Sequence, residues 1–266
     1  MNRIIPKVIA TGALWAAYEN ICMLTVRHED LGGNIRAVHL SDFHKRKFGR
    51  NNSRLISNVR ELSPDIIFLT GDLVSRTETD FTTAICTIDQ LCAIAPTVMI
   101  YGNHERSLSK IKRSEFREML GNTDVIFLKN SHISFEKSGR KVMIYGLSEQ
   151  YTVYKKNGGY RELDQVSAED IEKRLGSCPS DEVILLAHNP LFAESYEKWG
   201  AEYTLSGHVH GGVVRLLGKG ILSPERRFFP RYSKGVYTLG KMKLLVSAGL
   251  GKLRLFDPAE IVVYDM

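Results

Sequence analysis

Five short polar signatures recur along this chain: Ser41-Asp42-Phe43-His44, Thr70-Gly71-Asp72-Leu73, Gly102-Asn103-His104-Glu105, Ala187-His188-Asn189-Pro190 and Ser206-Gly207-His208-Val209-His210. Asp42 and His44 stand two residues apart, as do His208 and His210. In an extended segment such pairs face one side, so each pair can reach a single metal ion. Gly71 permits a sharp turn before Asp72, whose carboxylate has two oxygens with which to bridge two cations. Asn103 offers a neutral hard oxygen, and the adjacent His104 can point elsewhere. Of the eight histidines, His44, His104, His188, His208 and His210 lie in these signatures; His28, His39 and His132 do not and read as structural or surface residues. A single histidine of this kind is more often a satisfied ring. Five, with two aspartates and an asparagine, are poorly explained that way. Mixed nitrogen and oxygen ligation suits borderline divalent metals such as Mn, Fe or Zn, and the thiolates of a structural zinc site are missing from the set.

Each signature needs an element to aim it. Short β-branched runs at Ile35–Leu40, Asp65–Thr70, Thr97–Tyr101, Val125–Leu128, Lys141–Tyr145, Glu182–Ala187, Lys243–Val246 and Ile261–Tyr264 read as strands. Helical patterns cover Asn52–Leu62, Asp80–Ala93, Ser114–Leu120, Ala168–Leu175 and Leu191–Lys198. Strand, helix, strand in the first hundred residues predicts a parallel α/β core. Ligands in such sheets collect at the carboxyl ends of strands, where the signatures fall. The polar stretch Gln150–Gln165, with Gly158-Gly159, predicts a long loop over one edge.

Composition bounds the remainder. The chain has 266 residues with 43% hydrophobic and 25% charged, which excludes collagen-like, low-complexity and disordered classes. Lys plus Arg is 36 and Asp plus Glu is 30, a surplus of +6 that favours an anionic partner. Two local basic runs stand out: Lys45, Arg46, Lys47, Arg50 and Arg54, and then Arg226, Arg227, Arg231 and Lys234 interleaved with Phe228, Phe229 and Tyr232. Each reads first as a solvated face, the second with its aromatics packed inward. Cys22, Cys86, Cys92 and Cys178 form no CxxC pair, so free thiols are expected. Ile4–Tyr18 is apolar but falls short of the ~20 residues that span a bilayer. It predicts an amphipathic or partly buried helix, with a sharper alternative of membrane-surface contact through Trp15. Gly218-Lys219-Gly220 lacks the spacing of a P-loop, and no serine sits in a GxSxG elbow.

The ordered set SDFH, LTGDL, YGNHE, AHNP and SGHVH resembles the calcineurin-like metallophosphoesterases, over a stretch running from about Ile35 to the C-terminus. The resemblance implies an α/β fold, a four-layer sandwich of two mixed β-sheets flanked by helices. It implies two divalent metal ions (Mn, Fe or Zn). Asp42, His44 and His210 would hold one, Asn103, His188 and His208 the other, and Asp72 would bridge them. His104 would be the catalytic, non-ligand histidine beside the leaving group. Protein Ser/Thr phosphatases of the superfamily carry GDxxDRG, whereas Gly71-Asp72-Leu73-Val74-Ser75-Arg76 has Ser75 at the second aspartate, which argues against a phosphoprotein substrate. The group that orients His104 is left open.

The C-terminal half, with Val214-Arg215-Leu216, Val246-Ser247-Ala248-Gly249-Leu250-Gly251, Arg254-Leu255-Phe256 and Pro258-Ala259-Glu260-Ile261-Val262, is similar to membrane- or envelope-associated bacterial phosphoesterases. That similarity extends the expectation to hydrolysis of a phosphodiester or pyrophosphate by in-line attack of metal-activated hydroxide, on a lipid-linked nucleotide such as UDP-diacylglucosamine. The alternatives are a nuclease or cyclic-nucleotide phosphodiesterase, and, from a different class, a non-catalytic metal-binding interaction module. The expected layout is an N-terminal helical extension over 1–30 and a metallophosphoesterase domain over 31–266. The expected setting is cytoplasmic, peripheral on the inner face of the cell membrane. No protein partner is inferred.

Overall fold

A computed structural model gives the structure of residues 4–157, 159, 162–212, 214–223, 228–252 and 254–266. In chain order, helix α1 (Ile4–Cys22) leads into β1 (Leu24–Asp30) and β2 (Arg36–Leu40). Then come α2 (Ser53–Glu61), β3 (Ile66–Leu69), α3 (Thr82–Cys92), β4 (Thr97–Met99), α4 (Asn103–Ser107), α5 (Lys110–Gly121) and β5 (Ile126–Phe127). The second half holds β6 (Ser131–Lys137), β7 (Arg140–Gly146), α6 (Ala168–Leu175), β8 (Glu182–Leu186), α7 (Ala193–Trp199) and β9 (Tyr203–Ser206). It closes with β10 (Arg215–Leu216), β11 (Lys219–Gly220), β12 (Gly235–Leu239), β13 (Met242–Val246) and β14 (Ala259–Asp265).

Two six-stranded mixed sheets result, in the orders β1-β14-β2-β3-β4-β5 and β12-β13-β9-β8-β7-β6. The central strands β2, β3 and β4 run parallel, as do β7, β8, β9 and β13. A strand covered on both faces needs apolar residues at every position, and all four side chains of Ile66–Leu69 are buried. Successive side chains point to opposite faces. Ile67 and Leu69 therefore join Leu55, Val59, Leu91 and Phe116 of the outer helices, whereas Ile66 and Phe68 face the other sheet, against Ile144, Ile184 and Leu205. A third cluster packs α6 and α7 on the outside of the second sheet through Ile171, Tyr196 and Trp199. The layers run helices, sheet, sheet, helices, as expected.

Six strands escaped the sequence reading, two of them (β10 and β11) a pair of two-residue strands. β1, β6 and β12 are edge strands, and β1 alternates buried-side and exposed positions through Arg27, Glu29 and Asp30 rather than forming an apolar run. β9 is buried throughout but short, with Thr204 and Ser206 in it. The expected helical extension over 1–30 ends sooner: α1 stops at Cys22, and residues 24–30 are an edge strand paired in parallel with β14. α1 also differs from an amphipathic, partly buried helix. Within residues 11–22 only Glu19 is buried, and Leu14, Trp15, Tyr18 and Ile21 are exposed. Its last turn is tied down by hydrogen bonds. The Glu19 carboxylate accepts from Phe256 N–H (2.8 Å), and Asn20 exchanges bonds with the Arg254 backbone (2.6 and 2.9 Å). Among the described residues no helix is long and apolar enough to cross a membrane.

Candidate metal centre

All eight residues singled out for metal binding or catalysis converge between the two sheets. β2, β3 and β4 deliver Asp42, Asp72 and Asn103 just past their ends, and β8 and β9 deliver His188 and His208 from the facing sheet. The Asp42 and His44 backbones have φ of 55° and 44°, Asp72 54°, and His208 and His210 68° and 53°. These are left-handed conformations that side chains other than Gly, Asn and Asp rarely adopt, and they concentrate where a site over-determines them. The expected extended i, i+2 geometry is thus corrected: the pairs converge because the chain coils left-handed at the strand tips.

Two clusters meet. His44 Nε2 and His210 Nε2 each lie 3.7 Å from Asp42 Oδ1, and 3.2 Å from each other. On the other side His188 Nε2 is 3.2 Å from Asn103 Oδ1 and 3.4 Å from Asp72 Oδ2. Asp72, His188 and His208 present their ligand atoms within 4.8 Å of one another. Asp72 Oδ2 is also 3.7 Å from His44 Nε2. One carboxylate oxygen therefore faces both clusters. The other, Oδ1, accepts the His104 backbone N–H at 2.7 Å.

Supporting bonds aim the ligand atoms. His188 Nδ1–H donates to the Thr70 carbonyl (2.6 Å), which turns Nε2 toward Asp72. Asp42 Oδ2 accepts the His208 backbone N–H (3.0 Å), while Oδ1 is buried with no hydrogen-bond partner. A buried carboxylate oxygen without a donor is costly unless a cation fills the role. Glu105 is fully buried and accepts from the backbone N–H groups of Gly102, Asp72 and Val74 (2.9, 2.9 and 3.0 Å), clamping two signatures together. A Cβ at Gly71, φ 97°, would overlap the Gly102 backbone, so glycine permits the close approach of the same two loops.

The charges follow from burial and neighbours. Burial alone would raise Asp42 and Asp72; the rings of His210, His44 and His188 outweigh it and hold both carboxyls below the usual range. His188 goes the other way. Burial opposes its charge, yet Asp72 lifts it to about 10. Burial pushes His210 down to about 3 and His104 down to about 4. Burial and Asp72 together raise Glu105 to about 7. The donor set, two aspartates, one amide and imidazoles around an unpartnered buried oxygen, fits two divalent cations of the borderline class.

His104 Nδ1 accepts the backbone N–H of Arg76 at 3.2 Å, and Arg76 Nη2 lies 2.8 Å from His104 Nε2. A donor at Nδ1 puts the neutral ring's proton on Nε2. This backbone amide, next in the chain to Ser75, holds the ring. Glu105 was legible only as a member of its signature, and Arg76 only as the end of the stretch after Asp72; their contacts come from loop geometry. His28, His39 and His132 stay outside the site, and His39 is buried against Thr70 Oγ1 at 2.7 Å. In the first basic run Arg46 is buried rather than solvated. In the second, Arg226 and Arg227 lie outside the described residues, Tyr232 packs inward, and Phe228 and Phe229 are exposed, contrary to the inward packing expected. Gly158 of the long loop also lies outside the described residues.

Comparison with known proteins agrees with this geometry. The sequence pattern of the calcineurin-like phosphoesterases matches residues 35–212. An uncharacterized metallophosphoesterase of Campylobacter jejuni is 28% identical over 246 residues, 89% of this chain and 60% of its own length. The phosphodiesterase YaeI of Escherichia coli is 24% identical over 230 residues, 85% of this chain and 78% of its own. In fold, the TT1561 protein of Thermus thermophilus superposes with a TM-score of 0.52 at 12% identity, over 81% of this chain and 90% of that one. The chain spans 39% and 60% of the lengths of the first curated relatives it matches. With the pattern covering most of its length and the signatures gathered at one crevice, this chain belongs to the calcineurin-like phosphoesterase family.

Proposed function

We propose that this chain is a dinuclear metal-dependent phosphoesterase that cleaves a phosphodiester or pyrophosphate. The observation that carries the reading is Asp72 Oδ2, 3.7 Å from His44 Nε2 and 3.4 Å from His188 Nε2, one oxygen common to two ligand clusters. Asp42, His44 and His210 would hold one divalent cation, and Asn103, His188 and His208 the other. Bound there, the pair supplies Lewis acidity toward the phosphoryl group and hydroxide near neutral pH. The chain's own residues do the rest. His104, with Nδ1 occupied by the Arg76 amide and its ring kept neutral by burial, would present Nε2–H to the departing oxygen as a hydrogen-bond donor that stabilises its growing charge. The Arg76 guanidinium lies 2.8 Å from that same ring nitrogen and adds a fixed positive charge beside the departing oxygen. Glu105 keeps the Asp72 and Asn103 loops in register.

The test is reconstitution. Chelator-stripped protein should hydrolyse bis(p-nitrophenyl) phosphate only after Mn²⁺ is restored. Inactivity toward diesters and pyrophosphates with Mn, Fe and Zn in turn would leave a metal-binding interaction module in its place.

A lipid-linked substrate and peripheral membrane contact draw support from a different observation. Leu14, Trp15, Tyr18, Ile21, Leu217 and Phe228 are exposed. Residues 211–256 hold ten basic residues against one acid, Glu225. Apolar and aromatic groups among cations suit an anionic lipid surface. Mixed micelles separate this from a nuclease: a lipid substrate turns over more slowly as detergent dilutes the surface, whereas competition by DNA would fall steeply with salt.

A further inference from the structure

The long polar stretch Gln150–Gln165 opens with a turn that reaches the metal centre. Tyr151–Val153 form one turn of 3-10 helix that touches α4, the helix of Asn103 and His104. Tyr154 follows, 3% exposed, within the apolar cluster that packs α6 and α7 on the second sheet. Its ring meets two of the candidate ligands directly. The His208 ring stands edge-on to it, with centroids 4.9 Å apart at 74°, and the His188 ring lies 5.9 Å away at 50°. The two imidazoles are themselves 5.0 Å apart. A close-packed aromatic neighbour leaves an imidazole little room to change rotamer.

Tyr154 is in turn held by Glu149. Its hydroxyl donates to Glu149 Oε2. Glu149 Oε1 accepts the Tyr196 hydroxyl (2.8 Å) and the Asn189 backbone N–H (3.2 Å). Tyr196 Oη also lies 2.7 Å from the Asn189 carbonyl. Glu149 is 2% exposed. A buried carboxylate is costly unless donors satisfy it, and here three do. Asn189 adjoins His188 in the chain and Tyr154 abuts His208, so one carboxylate steadies both histidines. Glu105 does the same for the first sheet, where it gathers the Asp72 and Asn103 loops. We propose that Glu149 and Tyr154 are positioning residues of the metal centre, a second buried clamp that sets the affinity for the cation held by Asn103, His188 and His208. The proposal rests on the dinuclear phosphoesterase reading and gives a role to two residues outside the five signatures.

Calorimetric titration of the chelator-stripped protein with Mn²⁺ tests it without relying on turnover. The binding step that His188→Ala abolishes reports this cluster, and the step that His210→Ala abolishes serves as an internal control. Glu149→Gln keeps the side chain's size but removes its charge and replaces one acceptor oxygen with a donor. It should weaken the first step about 10-fold, the low end of what an outer partner contributes because it acts one contact removed, and leave the control step unchanged. Tyr154→Leu, which removes ring and hydroxyl together, should weaken the same step alone. Tyr154→Phe, which keeps the ring against His208, should lose less. The two Tyr154 variants decide the matter if Glu149→Gln does not fold. Both steps unchanged, or both weakened equally, overturns the clamp and spares the phosphoesterase reading, because a purely structural role does not choose between the two clusters. Failure of the unsubstituted protein to bind Mn²⁺ overturns both.

Discussion

The two ligand clusters each pair two imidazoles with an oxygen donor yet are not equivalent. Asp72, His188 and His208 are all buried, whereas His44 and His210 of the other cluster are partly open to solvent. His188 is locked by the Thr70 carbonyl on its far nitrogen, while the far nitrogen of His44 is buried without a hydrogen-bond partner. An outer partner of this kind is typically worth about 10–100-fold in metal affinity. The difference teaches that one cradle is pre-aimed and enclosed, and the other is the more exchangeable. Asp72 belongs to both.

The largest effect should come from the residue the cradles share. Asp72→Ala removes the common oxygen, and metal analysis should find fewer than one ion per chain, with turnover at background. A full complement of two ions would contradict the bridging role. His104→Ala should cost about 10²–10³-fold in turnover while both ions remain bound; unchanged turnover would remove His104 from the mechanism. The asymmetry itself predicts stepwise Mn²⁺ binding, with the enclosed cradle filling first and about 10–100-fold tighter. His188→Ala should erase the tight step and His210→Ala the weak one. Equal binding steps would erase the distinction.

A pH series sharpens the comparison. His188 is held up at about 10, so at neutral pH the enclosed cradle must release its proton to bind metal. Apparent affinity for the tight ion should rise with pH, by up to about tenfold per unit below that value. His210, already pushed down to about 3, has no proton to lose, and only His44 is raised in the open cradle, so the weak step should depend less on pH. The smallest effect concerns the scaffold: Gly71→Ala should lower stability by about 1–3 kcal/mol in a denaturant melt, because the new Cβ meets the Gly102 backbone.

Much of this site was legible because residue type carries chemistry even when geometry is unknown. The signatures pointed to one crevice, and the strands that place Asp42, Asp72, Asn103 and His188 were readable as apolar runs. The reasons were less secure than the residues. Asp42 and His44 converge through left-handed backbone, which no extended-strand rule contains. Asp72 turns one oxygen, not two, toward both clusters, because the other is taken by the His104 amide. The Arg76 amide that orients His104 carries no residue-type signal, since any backbone would serve. β1 was hidden because an edge strand with charged alternation lacks an apolar run; α1 was expected as a helix, but over residues 11–22 Leu14, Trp15, Tyr18 and Ile21 face outward rather than inward.

Anomalous scattering from crystals soaked in Mn²⁺ tests the central claim most directly. The account predicts two peaks about 3.5–4 Å apart, one among Asp42, His44 and His210 and one among Asn103, His188 and His208, with Asp72 Oδ2 between them. A single peak, or two peaks that do not share Asp72, would contradict it.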